Sequence, residues 1–255
     1  MKKLSSRIVF LICIVLIWEA VYRLAIFPEL LFPSASTIFA ELVNGFTQYG
    51  LLSKTLNSLR IIFDGMFLGI IIAVILMGLS QGSKLFHSIV DNLVVFLSPI
   101  PSIAIFPLCI LWFGIGRSAI MFIMVHAVLW TALRNMLSGF KSIPDIYKEV
   151  GLNLELNRYQ MLKDIYIPAC MPLALSCLKV SFAKAWRTAI TVELVAGVIA
   201  NNTGLGGHIT FQRSMLNIPG LYATIVLIIV VGIIFEDIIF RALENHTVMK
   251  WGMMK

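Results

Sequence analysis

Long apolar stretches separated by short polar segments dominate the chain. Hydrophobic residues make up 59% of the 255-residue sequence and charged residues 13%, whereas soluble domains average about 45–50% and about 25%. A membrane-spanning helix takes about 20 residues. Six stretches are long enough, near residues 8–27, 59–79, 87–113, 118–136, 172–199 and 221–241. The pattern therefore predicts an all-α, polytopic membrane bundle of about six transmembrane helices.

The first apolar stretch follows Lys2, Lys3 and Arg7, as the apolar core of a secretory signal does. However, Glu19 and Arg23 interrupt it, and no cleavage site of small residues follows. We therefore expect a retained first helix.

Basic residues predict the orientation, because Lys and Arg are enriched in cytoplasmic segments. With the N-terminus inside, the cytoplasmic segments hold twelve basic residues and the external ones three, namely Lys54, Arg117 and Arg213. We therefore expect both termini in the cytoplasm of a bacterial cell, with the chain in the cytoplasmic (inner) membrane. The net charge of +7 is then a sign of topology, and it requires no nucleic-acid partner.

The pattern divides the sequence into three regions. They are a first helix with an external interfacial segment (1–57), a transmembrane core (58–245) that includes a cytoplasmic loop (137–170), and a cytoplasmic tail (246–255). In the external segment, a turn at 32–36 precedes Ile38, Leu42 and Phe46 at helical spacing, which predicts a short interfacial helix.

A polar island at 141–168 carries four basic and four acidic residues between apolar stretches. A helix-start signal at Ser142 and Pro144-Asp145 precedes Ile146, Val150 and Leu154 at i, i+4 and i+8. This predicts a short amphipathic helix along the membrane. Such a helix either docks into a groove on a cytosolic partner or lies at the interface without one.

The third apolar stretch contains Pro99, Pro101 and Pro107, with Ser98 and Ser102 beside them. Proline removes an N–H and disrupts the preceding helical turn. Non-helical backbone at membrane depth is tolerated only inside protein or along a wet cavity. The segment is therefore either a packed kink or the lining of a substrate path.

Polar residues form a stripe on the fifth apolar stretch. At 100° per residue they fall within about 60° of Lys184, and they are Ser181, Lys184, Arg187, Thr188 and Thr191. Glu193 falls on the opposite face. The stripe either favours an anion in transit or pairs with acidic residues of other helices, the candidates being Asp64, Asp91, Glu193, Glu236 and Asp237.

Some charged residues in the apolar stretches can instead form ion pairs within their own helix. Arg60 with Asp64, and Glu19 with Arg23, stand at i, i+4. His126 is a lone histidine on an apolar helix, for which we favour structural hydrogen bonding.

The sequence contains no pattern of metal ligands and no nucleophile–base arrangement. We therefore predict no metal site, no catalytic residue and no cofactor in this chain, and we do not expect it to be an enzyme.

The polar island resembles the EAA loop of ABC-importer permeases. That pattern is Glu-Ala-Ala, three residues, Gly, nine residues, then Ile-x-Leu-Pro. Glu149-Val150-Gly151 stands at the first place, and Ile165-Tyr166-Ile167-Pro168 at the last with the spacing intact. Glu155 occupies the glycine position. Because Glu resists a left-handed backbone, we expect neighbouring Asn153 or Asn157 to take the turn.

Further motifs are similar to one branch, the nitrate/sulfonate/taurine-type permeases. They are Leu31–Ser34, Pro101–Pro107 running into Leu111–Gly114, Ala185-Trp186-Arg187 with Glu193, and Gly204-Leu205-Gly206. The similarity as a whole spans roughly residues 30–245.

The resemblance implies a type I ABC-importer permease. Such a subunit pairs with a second permease copy, receives solute from an extracytoplasmic substrate-binding protein, and is driven by ATP-binding cassette ATPase subunits that bind ATP–Mg. The implied coupling residues are Glu149, Val150, Gly151, Glu155, Ile165, Ile167 and Pro168. The implied cargo is a small anion such as nitrate, sulfonate, taurine or bicarbonate.

Candidate residues of the translocation path are Ser98, Pro99, Pro101, Ser102, Lys184, Arg187, Thr188, Thr191 and Glu193. Two alternatives remain open from the sequence. The same importer class also carries vitamin precursors of pyrimidine or flavin type, and an ion-coupled secondary transporter would use the buried charges as a relay.

Overall fold

The structure, a computed structural model, describes residues 2–141, 144–196 and 204–247. These residues form helices and no strand. The helices are α1 (Lys2–Arg23), α2 (Ala35–Thr47), α3 (Leu51–Gly82), α4 (Lys84–Leu97), α5 (Phe106–Phe113), α6 (Arg117–Lys141), α7 (Asp145–Asn153), α8 (Arg158–Gln160), α9 (Ile167–Ala196), α10 (Leu205–Ser214), α11 (Ile218–Ile233) and α12 (Phe240–His246). The all-α prediction is confirmed.

Four helical segments in the described part of the chain are long and apolar enough to cross a membrane. They are Leu51–Gly82, Arg117–Lys141, Lys163–Ala196 and Ile218–His246, and each contains one of the predicted spans or most of it. The predicted first stretch corresponds to α1. The exact number of spans stays a prediction.

The expected span at 87–113 is not one straight helix. It is bent by 87° between Lys84–Leu97 and Ser102–Phe113. Pro101 has an extended backbone (φ −61°, ψ 121°) and leads into a 3₁₀ turn at Ser102–Ile105. Pro107 stands in the first turn of α5, where no intrahelical N–H bond is lost. Pro99 and Pro101 therefore mark the break, and Pro107 begins the next helix.

Two prolines lie near the start of the predicted fifth stretch. Pro168 stands in the first turn of α9, where proline is tolerated, and Pro172 lies inside the helix. A π-helical turn at Met161–Tyr166 precedes α9. The helix therefore begins earlier than the sequence predicts.

The described chain divides into two compact units, residues 1–58 with 193–230 and residues 59–192 with 231–255. In the first unit, Trp18 Nε1 donates to the carbonyl of Pro33 at 2.9 Å and its ring stacks on Phe32 at 4.1 Å. Ser34 caps α2 by accepting from the amide of Thr37 at 3.1 Å. The short helix predicted here is confirmed, whereas the turn lies at residues 28–32 and α2 already begins at Ala35.

In the second unit, α3 and α6 approach closely at two glycines. A Cβ on Gly65 would lie 2.6 Å from Met124 Cβ, and one on Gly69 would lie 2.9 Å from Val128 Cβ. Small residues allow helix backbones to meet in this way. The adjoining core cluster draws from α3, α4, α6 and α9 and comprises Ala73, Val90, Val94, Leu129, Ala132, Leu133, Leu137 and Cys177.

Candidate functional site

A cavity of about 410 Å³ lies in the second unit, where the break after α4 meets α9. Its lining residues are Pro101, Ser102, Ile103, Lys184, Arg187, Thr188 and Thr191. Two features that are separate in the sequence, the proline break and the polar stripe, therefore line one space. Of the stripe, only Ser181 is absent from the lining. It is fully buried, and its hydroxyl contacts Cys177 Sγ at 4.0 Å.

On the side of the break, the cavity presents Ser102. This side chain is 5% exposed, and its Oγ lies 3.4 Å from Nδ1 of His126 on α6. His126 therefore has a hydrogen-bonding partner among the cavity residues, and its structural role stays a prediction.

On the side of α9, the cavity presents two cations. Arg187 Nε donates to the carbonyl of Ala183 at 2.9 Å, which turns the guanidinium back along the helix. Thr191 Oγ1 donates to the carbonyl of Arg187 at 2.8 Å. Within residues 2–141, 144–196 and 204–247, neither Lys184 nor Arg187 forms an ion pair.

Several proposed acidic partners are engaged elsewhere. Asp64 pairs with Arg117 at 2.5 Å, so the expected Arg60–Asp64 pair is wrong. Asp91 lies 3.7 Å from Lys141. The Glu19–Arg23 pair is confirmed at 3.1 Å.

Three candidate path residues lie away from this cavity. Ser98 is half-buried and Pro99 exposed at the end of α4, and neither lines the space. Glu193 belongs to the first unit.

In the first unit, Glu193 is fully buried and forms the centre of a hydrogen-bonded cluster. Ser58 Oγ lies 2.8 Å from both carboxylate oxygens, and the amide of Gly206 donates to one of them at 2.9 Å. The amide of Leu205 donates to Ser58 Oγ at 2.9 Å. A Cβ on Gly204 would collide with the carboxylate. The glycine motif and Glu193 are therefore parts of one packing arrangement.

His208 lies on the same short helix, α10, and is 2% exposed. Its Nδ1 is 3.2 Å from Lys54 Nζ, and its Nε2 is 3.2 Å from the side-chain amide of Gln212. Burial, and to a lesser degree the charge of Lys54, lowers the pKa of His208 to about 4, from about 6.5 in a peptide. The imidazole is therefore neutral at neutral pH and accepts a hydrogen bond from the Lys54 ammonium.

The predicted coupling segment contains the expected amphipathic helix, α7. Ile146 and Val150 on α7, and Leu154 directly after it, are 58%, 44% and 65% exposed, so this apolar face is uncovered in the part of the chain that the structure describes. Glu149 is also exposed. Ser142 lies outside the described residues.

Gly151 of α7 is buried. A Cβ on Gly151 would meet Met161 Sδ and would lie 2.6 Å from Ile165 Cδ1. Gly151 thus lets α7 pack closely against the turn that precedes α9. Of the remaining predicted coupling residues, Ile167 is exposed and Ile165 and Pro168 are half-buried.

Glu155 terminates α7 in the left-handed conformation, with φ 53°. Its amide donates to the carbonyl of Leu152 at 3.0 Å, and the amide of Leu156 donates to that of Gly151 at 3.1 Å. This pair of bonds is a Schellman motif, which usually takes glycine at the left-handed position. The expectation that Asn153 or Asn157 would replace Glu155 at the turn is wrong, because Glu155 itself adopts the glycine conformation.

Ser58 is the site residue that sequence reasoning missed. It lies 135 positions before Glu193, and no local signal distinguishes it from other serines in apolar helices. The sequence does show that Glu193, a carboxylate in an apolar stretch, needs hydrogen-bond donors. It does not show that Ser58 is one of them.

Comparison with known proteins identifies the family of the chain. Residues 65–248 match the family described as binding-protein-dependent transport system inner membrane component. The chain belongs to this family. It is therefore the permease subunit of an ABC importer and a multi-pass membrane protein, as the resemblance implied. Membership does not favour the ion-coupled alternative.

Among its relatives, the permease is 27% identical to a putative ABC transporter permease of Methanocaldococcus jannaschii, over 100% of this chain and 95% of that one. It is 25% identical to the taurine transport system permease protein of Escherichia coli, with 90% and 84% covered. It is 26% identical to the putative aliphatic sulfonates transport permease protein of Bacillus subtilis, with 93% and 84% covered. The last two belong to the branch that the motifs indicated.

Proposed function

We propose that this permease conducts a small anionic solute through the cavity between the proline break and α9. The observation that carries the proposal is the pair of cations, Lys184 and Arg187, that line the cavity without an ion-pair partner in the described chain. Ionisable residues in membrane helices are costly and mark substrate or ion pathways. A passing anion supplies the missing negative charge.

The names of the relatives support a cargo that carries an oxyanion group. Taurine and aliphatic sulfonates both carry a sulfonate group, which accepts hydrogen bonds through its oxygens, and taurine carries an ammonium in addition. Hydroxyls of Ser102, Thr188 and Thr191 line the cavity beside the cations, and charge-assisted bonds to such oxyanions are stronger than neutral ones. No observation favours a vitamin precursor.

The energy for transport comes from a partner ATPase in this proposal. The sequence contains no G-x-x-x-x-G-K-[ST] phosphate loop, which is the element that cradles nucleotide phosphates in P-loop ATPases. ATP–Mg is therefore assigned to the partner. The exposed apolar face of α7 (Ile146, Val150 and Leu154) fits the mode in which an amphipathic helix enters a hydrophobic groove, and we assign it to the ATPase contact.

Three further elements complete the proposed assembly. A second permease copy encloses the path about a two-fold axis, an extracytoplasmic binding protein delivers the solute, and both termini lie in the cytoplasm. The excess of basic residues in the segments assigned to that side supports this orientation.

Replacement of Arg187 tests the path. We expect Arg187→Ala to lower ATP-dependent uptake of a sulfonate into proteoliposomes by about tenfold or more, because an anion loses a charge-assisted partner. Binding of the ATPase, measured by co-purification, stays at the wild-type level.

Lys179→Ala is the matched control. Lys179 stands on the same helix but pairs with Glu244 at 3.3 Å and does not line the cavity. Equal uptake by Arg187→Ala and wild type would refute the assigned path, and loss of assembly in Arg187→Ala would give the residue a structural role instead.

A further inference from the structure

The cavity of the second unit has an unbalanced set of charges. Its seven lining residues include two cations, three hydroxyl-bearing side chains and no carboxylate. Its two cations can form charge-assisted hydrogen bonds with an anion. For positive charge the cavity offers hydroxyl lone pairs and no carboxylate. The Thr191 hydroxyl gives its proton to the carbonyl of Arg187 and keeps its lone pairs.

The two cations act on the same part of any solute. Lys184 and Arg187 stand three positions apart on α9, and side chains at this spacing lie on one face, about 5–6 Å apart at Cβ. A group that approaches one of them therefore also approaches the other. Two like charges this close repel a bound cation together.

Three carboxylates of the second unit form ion pairs with residues that do not line the cavity. In the second unit, Asp64 pairs with Arg117, Asp91 with Lys141 and Glu244 with Lys179. The lining residues include no carboxylate that would offset the repulsion of an ammonium group by Lys184 and Arg187.

From this arrangement we infer that the cavity selects among anions: it accepts small solutes that carry negative charge and no cationic group, and it disfavours zwitterions. The inference rests on the proposed function, and it narrows the cargo within the sulfonate class. A hydroxyalkane or alkane sulfonate fits, whereas an aminoalkane sulfonate places its ammonium within reach of both cations.

A pair of probes of equal size tests the selectivity. Isethionate (2-hydroxyethanesulfonate) and taurine (2-aminoethanesulfonate) differ only in a hydroxyl against an ammonium. Binding of each radiolabelled probe is measured by equilibrium dialysis against the full-length permease in nanodiscs, without a binding protein that would impose its own preference. We expect isethionate to bind at least about tenfold more tightly, because like charges at this distance repel.

A variant with an added carboxylate tests whether the preference for isethionate arises in this cavity. Thr191→Asp adds a carboxylate at an exposed lining position, and we expect it to reduce the preference for isethionate about fivefold or more. Lys179→Ala leaves the preference unchanged, since it removes a cation outside the cavity.

The possible results distinguish failure of the selectivity against zwitterions from failure of the proposed anion path. Equal affinities, or tighter binding of taurine, would overturn the selectivity and leave the anion path standing if Arg187→Ala still weakens both probes. A preference that Thr191→Asp does not change would also overturn it, because the discrimination would then arise elsewhere. Binding of neither probe would refute both the selectivity and the path.

Discussion

Glu155 shows how a residue can depart from a sequence pattern and still keep its geometry. The pattern places glycine here because the position is left-handed, and the structure has φ 53° at Glu155. A left-handed backbone costs an L-residue with a side chain about 1 kcal/mol or more. Both bonds of the helix-terminating motif form nonetheless.

Glycine at position 155 is expected to relieve this strain. Glu155→Gly should slow hydrogen exchange of the amides of Leu154, Glu155 and Leu156, because the end of α7 becomes more stable by about 1 kcal/mol. Asn153→Gly, in the last helical turn, is the control and should speed exchange. Unchanged protection in Glu155→Gly would contradict the strain.

Gly204 is fixed by a neighbour rather than by its own backbone. Its φ is −88°, which any residue adopts, but a side chain would collide with the carboxylate of Glu193. We expect Gly204→Ala to lower the free energy of unfolding by about 2 kcal/mol or more, because the buried carboxylate would lose its donors. The measurement is thermal unfolding in detergent.

Gly78→Ala provides the comparison for Gly204. Nothing lies within 4 Å of a Cβ at position 78 in α3, so this change should leave the melting temperature the same or slightly higher. A similar loss in both variants would point to backbone effects and away from the Glu193 contact.

At the scale of elements, α10 is a short helix held by a buried histidine. The pKa of His208 is about 4 in the folded protein and about 6.5 when unfolded. Between these values the unfolded state binds more protons, so stability is greatest above pH 6.5 and decreases as the pH falls toward 4. At pH 5 the loss amounts to at most about 2 kcal/mol.

Melting temperatures recorded from pH 7.5 to 4.5 test this dependence. His208→Gln should flatten the acid side of the curve, because glutamine keeps a polar contact for Lys54 and does not titrate. His246→Gln, at an exposed position in α12, should reproduce the wild-type curve. An equally steep decrease in His208→Gln would assign the acid sensitivity to other groups.

Elements were predictable where a local pattern specifies them. Ile38, Leu42 and Phe46 gave the position of α2, and Ile146, Val150 and Leu154 that of α7. The bend at Ser98–Pro101 followed from prolines, but its angle of 87° did not, because tertiary packing sets it. The Ser58–Glu193 contact was not predictable, since it joins residues that share no sequence pattern.

For the whole molecule, one engineered thiol tests both the orientation and the ATPase contact. In a variant with the four native cysteines replaced, Val150→Cys should react with a membrane-impermeant maleimide in inside-out vesicles and not in intact cells. Bound ATPase should then protect it, because α7 would lie in the groove of the partner.

Ser214→Cys is the control, for which we expect labelling from the opposite side of the membrane. This exposed position at the end of α10 is expected outside, so it should react in intact cells and show no protection by the ATPase. Labelling of Val150→Cys from outside would reverse the topology, and labelling that the ATPase does not reduce would remove α7 from the docking surface.

The close approach of α3 and α6 at Gly65 and Gly69 has a mechanical consequence. Because neither glycine has a side chain, the α3 backbone lies directly against the first side-chain carbons of Met124 and Val128 on α6. Rotation or sliding of one helix against the other would bring these groups into collision. We therefore expect α3 and α6 to move together, and we expect rearrangement of the second unit during a transport cycle to occur elsewhere, as at the bend between α4 and α5.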